Sequence, residues 1–372
     1  MSERQVFEGL RVVDLSTGMA GPMATMVLAD HGADVLKLEP RDGDWARELP
    51  AFAMWNRQKR SACVDLRRDR ELVAELLATA DVVVMGADLD APGSPVVDHD
   101  SAVARNPGLV RCGIGGLART GPQARSPRAY EGIVAAATGR MWGLDQLSGG
   151  QPGPTYDEPA FTAAPVAAYG ASQLAVQGIL AALLQRRRTG RGQRVETSLL
   201  DGAMAFLMRQ ELSRGEGGES RAISPAMHRG IELCFLTAEC SDGRYIQMCA
   251  RQDAHFKNWL HALDLGDVLS EERYRDAPMG IPTVADVDEL RERIAARMRT
   301  RTQSEWMRVF TEDYDVGADP FLTPGEFLEH PDMVANDRIV EIDDPHRGRV
   351  RQIGALVWMS ETPAAITRPA PS

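Results

Sequence analysis

Leu10-Arg-Val-Val-Asp-Leu15, then Ser16-Thr-Gly-Met-Ala-Gly-Pro22, then Val35-Leu-Lys-Leu-Glu39 set the fold. The first run is short, apolar and rich in β-branched residues, the signature of a buried strand. Ser16 to Gly21 is a turn, and Pro22 to His31 carries helix formers that stop at Gly32, a natural C-terminal cap. Val35–Glu39 is a second strand. Strand, helix and strand within about 30 residues make a βαβ unit, hence parallel strands joined by a right-handed crossover.

The pattern recurs outward. Ala62–Leu66 reads as a strand, Arg70–Ala80 as a helix, Asp81–Met85 and Leu109–Gly113 as further strands. The expectation is α/β: a Rossmann-like, doubly wound large domain. Between Ala171 and Arg188, Ala171, Leu174, Ala175, Gly178, Ile179 and Ala182 recur at helical spacing as one apolar stripe. Arg186–Arg188 suit the helix's negative end, and Gly190 and Gly192 end it. Gln193–Ser198 alternates like a strand and Leu199–Glu211 returns to helix.

Arg214–Ala226, rich in Gly, Ser and Glu, reads as a linker. Beyond it, Ile231–Thr237 and Tyr245–Cys249 flank the Asp-Gly turn of a hairpin. Helical patterns follow at Phe256–Leu263, Val287–Met298 and Ser304–Tyr314, and a strand-like run at Gln352–Trp358. The expected division is a large domain over 1–213, a smaller α+β domain over 227–330, and a segment, 331–372, returning to the first.

Composition excludes several classes. With 372 residues, 44% of them hydrophobic, the chain is globular rather than collagen-like or disordered. A net charge of -11 argues against nucleic acid as partner. The N-terminus lacks a signal peptide's basic and apolar regions, and no run approaches the roughly 18 apolar residues of a membrane span. A soluble cytoplasmic protein, off the membrane, is expected. Five cysteines without C-x-x-C spacing read as small buried hydrophobes, and the seven scattered histidines suggest no metal.

Gly113-Ile-Gly115-Gly-Leu-Ala118 fits a dinucleotide fingerprint only in spelling, since Arg119-Thr-Gly-Pro122 cannot open a helix there. It reads instead as a glycine loop allowing close backbone approach. More informative is Ser16–Pro22, at the carboxyl end of a parallel strand, where open α/β sheets bind ligands and a helix N-terminus suits an anion. Arg41 and Gln58-Lys-Arg60 bring cations to the same margin. Each cation alone reads as a solvated surface charge; together they favour an anionic ligand.

Leu10–Ser16, Ala20-Gly-Pro22, Leu28–Glu39 and Gly43-Asp44 resemble the opening of the family III CoA-transferases. That group includes formyl-CoA transferase, carnitine CoA-transferase, a bile-acid-inducible protein and α-methylacyl-CoA racemase. Asn56–Ser61, Tyr130-Glu131 with Ala137-Thr-Gly139, Gly178–Leu183, Thr189–Gln193, Thr323–Pro331 and Ser360–Pro363 extend the resemblance along nearly the whole chain. It implies coenzyme A as ligand and a dimer of two subunits linked like rings. Thr17, Gly18, Met19 and Ala20 match the loop that contacts CoA. Arg41 and Lys59 match its phosphate-side cations, and Arg128, Tyr130 and Glu131 match the cleft near the thioester.

One position departs from the family. Its nucleophilic aspartate corresponds to Ala168, within Pro165-Val-Ala-Ala-Tyr169. An alanine cannot form an acyl anhydride, which needs a carboxylate. Glu131 is the fallback, with Asp157 and Glu158 upstream; Glu216-Gly-Gly218 is a feeble match to the family's glycine-rich lid. The resemblance therefore implies an enzyme moving CoA between acyl-CoA and a small carboxylic acid. A second reading is a silent CoA-binding subunit, paired with a paralogue that keeps the aspartate. A third, a nucleotide-dependent α/β oxidoreductase, rests on the glycine loop alone.

Overall fold

The computed structural model describes residues 5–86, 99–117, 130–138, 164–211, 230, 232–250, 252–314 and 316–372. Two compact units emerge: Met1–Arg140, Thr162–Glu211 and Glu326–Ser372 form one, Met141–Phe161 and Leu212–Gly325 the other. The proposed linker at 214–226 lies outside the described residues.

The first unit is built on β1 (Arg11–Asp14), β2 (Asp34–Glu39), β3 (Arg60–Cys63), β4 (Val82–Gly86), β5 (Val110–Gly115) and β6 (Arg194–Ser198). All neighbours pair in parallel, in the order β3-β2-β1-β4-β5-β6. Strand order reverses between β1 and β4, so the loop after β1 stands at the switch point where such sheets take ligands. Helices α1 (Ala20–Asp30), α2 (Phe52–Trp55), α3 (Arg70–Thr79), α4 (His99–Arg105), α5 (Glu131–Ala137), α6 (Val166–Thr189) and α7 (Leu199–Glu211) complete the layers. Alternation of side chains along β1 serves both faces. Val12 joins the core with α1 and α6, Val13 the core with Val73 and Leu77 of α3.

Helix α6 begins five residues before the apolar stripe that marks it in sequence, directly after Pro165. Gly190, with φ +70°, ends it in the left-handed conformation. Contrary to the sequence reading, α6 is long and apolar enough to cross a membrane by length and composition alone. Ala171, Ala175, Ile179 and Ala182 spend the stripe on the core shared with α1, β4 and β5. Gly113 and Gly115 are also corrected: they are not a loop but the end of β5, paired with Glu196 and Ser198 of β6.

In the second unit, β7 (Thr237–Glu239), β8 (Tyr245–Met248) and β9 (Ala318–Pro320) form an antiparallel sheet. The hairpin's first arm starts only at Thr237, because 232–235 are spent on a helical turn. Helices α8 (Asp253–Ala262), α9 (Val284–Met298) and α10 (Gln303–Arg308) close over a core holding Trp259, Phe256, Trp306 and Phe310. The predicted helix over 304–314 divides at Arg308 into α10 and a π-helical turn, Val309–Asp313. Helices α11 (Pro324–Glu329) and α12 (Pro331–Ala335) follow, then the antiparallel pair β10 (Ile339–Asp344) and β11 (Gly348–Ile353). The strand expected at 352–358 stops at Ile353. Cys112, Cys234 and Cys240 are buried as expected, but Cys63 and Cys249 are exposed.

Candidate functional site

At the carboxyl ends of β1 and β2 lies a network of fully buried charges. Asp14 accepts from Ser16 N at 3.0 Å and Ser16 Oγ at 2.5 Å with one oxygen. With the other it accepts from Thr25 Oγ1 at 2.6 Å and Lys59 Nζ at 3.1 Å. Burial alone would push the Asp14 carboxyl up. The Lys59 and Lys37 ammonium groups and the two hydroxyls reverse that, holding it at about 2. Lys59 also donates to Pro22 O and Asn56 Oδ1, both at 2.9 Å. Burial lowers its ammonium most, against Asp14 and with help from Lys37, to about 8.

Lys37 donates to Ser16 O at 2.8 Å and pairs with Asp44 at 2.9 Å. Asp44 in turn accepts from Gly18 N at 3.0 and 3.2 Å and from Ala46 N at 3.0 Å. Both ends of the β1 loop are thus tied down. Gly18 is held at φ +80°, where an added Cβ would stand 2.8 Å from the Trp45 ring, so both conformation and space require glycine. What the loop turns outward is Thr17, exposed between buried Ser16 and Gly18.

The sequence-derived cations divide. Lys59 is brought to the loop but lies inside the network, its side chain 0% exposed and its three N–H groups spent. In this structure it braces the loop instead of facing solvent. Arg41 lies exposed in the turn after β2. Arg60, its neighbour in the same motif, pairs with Asp34 at the surface. Met19 precedes α1, half-buried, and Ala20 is buried. Arg128, Asp157, Glu158 and Glu216–Gly218 lie outside the described residues.

A second arrangement sits at the start of α6. Pro165 provides no side-chain cap there. Instead Glu131, in the first turn of α5, reaches across. Its Oε1 accepts from Ala167 N and its Oε2 from Ala168 N, each at 2.9 Å. Val134 of α5 packs with Ala167 and Ala203. Helix α7 crosses tightly beside them: a Cβ on Gly170 would lie 2.4 Å from Gly202 O, so only glycine permits the approach. Tyr130 stands 64% exposed just before Glu131, and Tyr169 42% exposed just after Ala168. A carboxylate is therefore fixed at the α6 N-terminus although residue 168 has none.

Sequence reasoning missed Asp14, Lys37 and Asp44 as site-shaping residues. For Asp14 and Lys37 the signal was present: a charge inside an apolar strand must find a partner when buried. Among the described residues no group of His, Cys, Asp or Glu has the arrangement to hold a metal.

A family model, CoA-transferase family III, matches residues 7–372. Succinyl-CoA:mesaconate CoA-transferase of Haloarcula hispanica is 30% identical over 95% of this chain and 90% of its own length. Succinate--glutarate CoA-transferase of Agrobacterium fabrum is 28% identical over 98% of the chain and 92% of its own. The chain spans only 47% of the CoA-transferase/lyase DddD of Marinomonas, at 26% identity over 98% of the chain. A CAIB/BAIF family protein from Brucella suis superposes with a TM-score of 0.81 at 26% identity, over 99% of this chain and 96% of that one. With the model match running almost end to end, this chain belongs to the CoA-transferase family III.

Proposed function

We propose that this chain binds acyl-CoA and transfers CoA between the thioester and a small carboxylic acid. The observation that carries this is the β1 loop. At the switch point of a family III sheet, buried pairs pin Ser16 and Gly18 and leave Thr17 turned outward. On this reading Thr17, Gly18, Met19 and Ala20 line the CoA, with Arg41, Arg128 and Tyr130 toward its phosphates and thioester. Lys59 contributes through Asp14, as a brace rather than a contact. The CoA-binding domain comprises 1–213 with 331–372, the smaller domain 227–330, and two cytoplasmic subunits link as rings.

Ala168 favours a second reading, a silent CoA-binding subunit partnered with a paralogue. Titration calorimetry with CoA, followed by exchange of radiolabelled succinate into succinyl-CoA, separates the two. Binding with exchange supports transfer; binding without exchange supports the silent subunit. Bound CoA should stabilise the fold by about 2.7 kcal/mol at a hundredfold excess over Kd. No heat at millimolar CoA would overturn both.

A further inference from the structure

The segment between β2 and α2 is built as firmly as the loop after β1. Gly43 N donates to Pro40 O at 2.8 Å, closing a turn around Arg41 and Asp42. Asp44 N donates to Glu39 Oε2 at 3.1 Å, and the Asp44 carboxylate caps the single helical turn Trp45–Glu48 through Ala46 N at 3.0 Å. The same carboxylate holds Gly18 N and Lys37. Arg47 is spent on Glu39, donating to each of its oxygens at 2.7 Å. Arg41 and Trp45, by contrast, are turned to solvent. Trp45 is 58% exposed and gives little to the core, yet it has a defined seat. A Cβ added to Gly18 would stand 2.8, 3.3 and 3.4 Å from its Cζ2, Cε2 and Nε1, so the β1 loop backs the indole.

We infer that Trp45 is the platform on which the adenine ring of CoA stacks, with Arg41, on the same segment, meeting a phosphate of that nucleotide. This rests on the CoA-binding reading. The loop's own amides are largely unavailable: Ser16 N is taken by Asp14 and Gly18 N by Asp44. A nucleotide at this margin must therefore be gripped by side chains. An aromatic plane and a guanidinium four positions apart match its two halves, a flat heteroaromatic base and an anionic phosphate.

Charge alone is a weak recruiter here. The chain carries a net charge of -11, and Asp42 is exposed directly beside Arg41. The Lys37 and Lys59 ammonium groups are buried in pairs with Asp44 and Asp14. Stacking is indifferent to that balance and to salt, because it depends on contact between two rings. The seat against Gly18 also restricts the indole before ligand arrives, so less rotamer freedom is lost on binding. Trp45 accordingly supplies affinity for the base, and Arg41 the salt-sensitive share.

The test titrates the full chain with CoA and with its two halves, adenosine 3′,5′-bisphosphate and 4′-phosphopantetheine. Trp45→Leu should weaken CoA and the bisphosphate at least about fivefold, equally at low and high salt. Its Kd for 4′-phosphopantetheine should stay within about twofold, and Trp45→Phe should keep most of the affinity. Bound bisphosphate should quench indole emission, and the quench should vanish in Trp45→Phe although five of the six tryptophans remain. Unchanged bisphosphate affinity in Trp45→Leu overturns the assignment while leaving CoA binding intact. Equal weakening of both halves also overturns it, because Trp45 would then act only on the shape of the β1 loop. No heat with CoA itself removes the functional reading, and this assignment with it. Should Trp45→Leu fail to fold, the quench and its loss in Trp45→Phe decide.

Discussion

In the sheet unit, Asp14, Lys37, Glu39, Asp44, Arg57 and Lys59 are all at or below 4% exposure. In the Leu212–Gly325 unit, the most deeply buried large side chains are Trp259, Trp306, Tyr274, Phe256 and Phe310. Apart from Arg291 with Glu232, which are largely buried, the ion pairs described in that unit stand nearer the surface. Arg273 contacts Glu271, Asp286 and Glu289 at 2.9, 3.0 and 2.7 Å, and Arg293 joins Glu271 and Glu289. Water screens such pairs, so they stabilise little. Buried pairs are costly to form and costlier to halve. The sheet unit accepts that cost next to the loop that must keep one shape; the other unit relies on apolar packing.

Three experiments break or sharpen this contrast. The largest effect is expected from Asp14→Asn, which leaves the Lys59 ammonium buried without its counter-charge. It should cost about 3–5 kcal/mol in urea unfolding; a loss near zero would place the network outside the stability of the sheet unit. Next comes the acid limb. The folded Asp14 carboxyl lies below its ordinary 3.8, so its stabilisation is present above 3.8 and lost as pH falls toward about 2. The loss amounts to about 2 kcal/mol. Ser16→Ala removes one of the donors that hold that carboxyl down, so its acid midpoint should move to higher pH. The smallest effect belongs to the surface cluster: Glu289→Gln should leave the unfolding midpoint unchanged, and a clear drop would erase the distinction.

Local signals made much of the sheet legible. Apolar β-branched runs and glycine stops located β1, α1, β2, α3 and β4 to within a few residues, since each is buried where its own pattern says. The start of α6 was not legible. Its first turn is capped by Glu131, 36 and 37 positions away, and no periodicity carries a contact of that kind. The cations were half legible. Lys59 and Arg41 share a charge, but only the fold decides that Lys59 meets Asp14 inside while Arg41 meets water. Glu131 was a candidate through the family resemblance of Tyr130-Glu131; its hold on two amides was not visible.

Gln58 accepts from the Thr367 and Arg368 amides and donates to Ala365 O, partners 307 to 310 positions later in the chain. Arg57 beside it donates to Gly354 O, 297 positions on, and to Ile353 O. On the ribosome, these grips have no partner until residues 353–368 emerge. The unit that lies between can close its core while synthesis continues. The sheet, although all six of its strands precede residue 199, lacks these contacts until that later segment arrives.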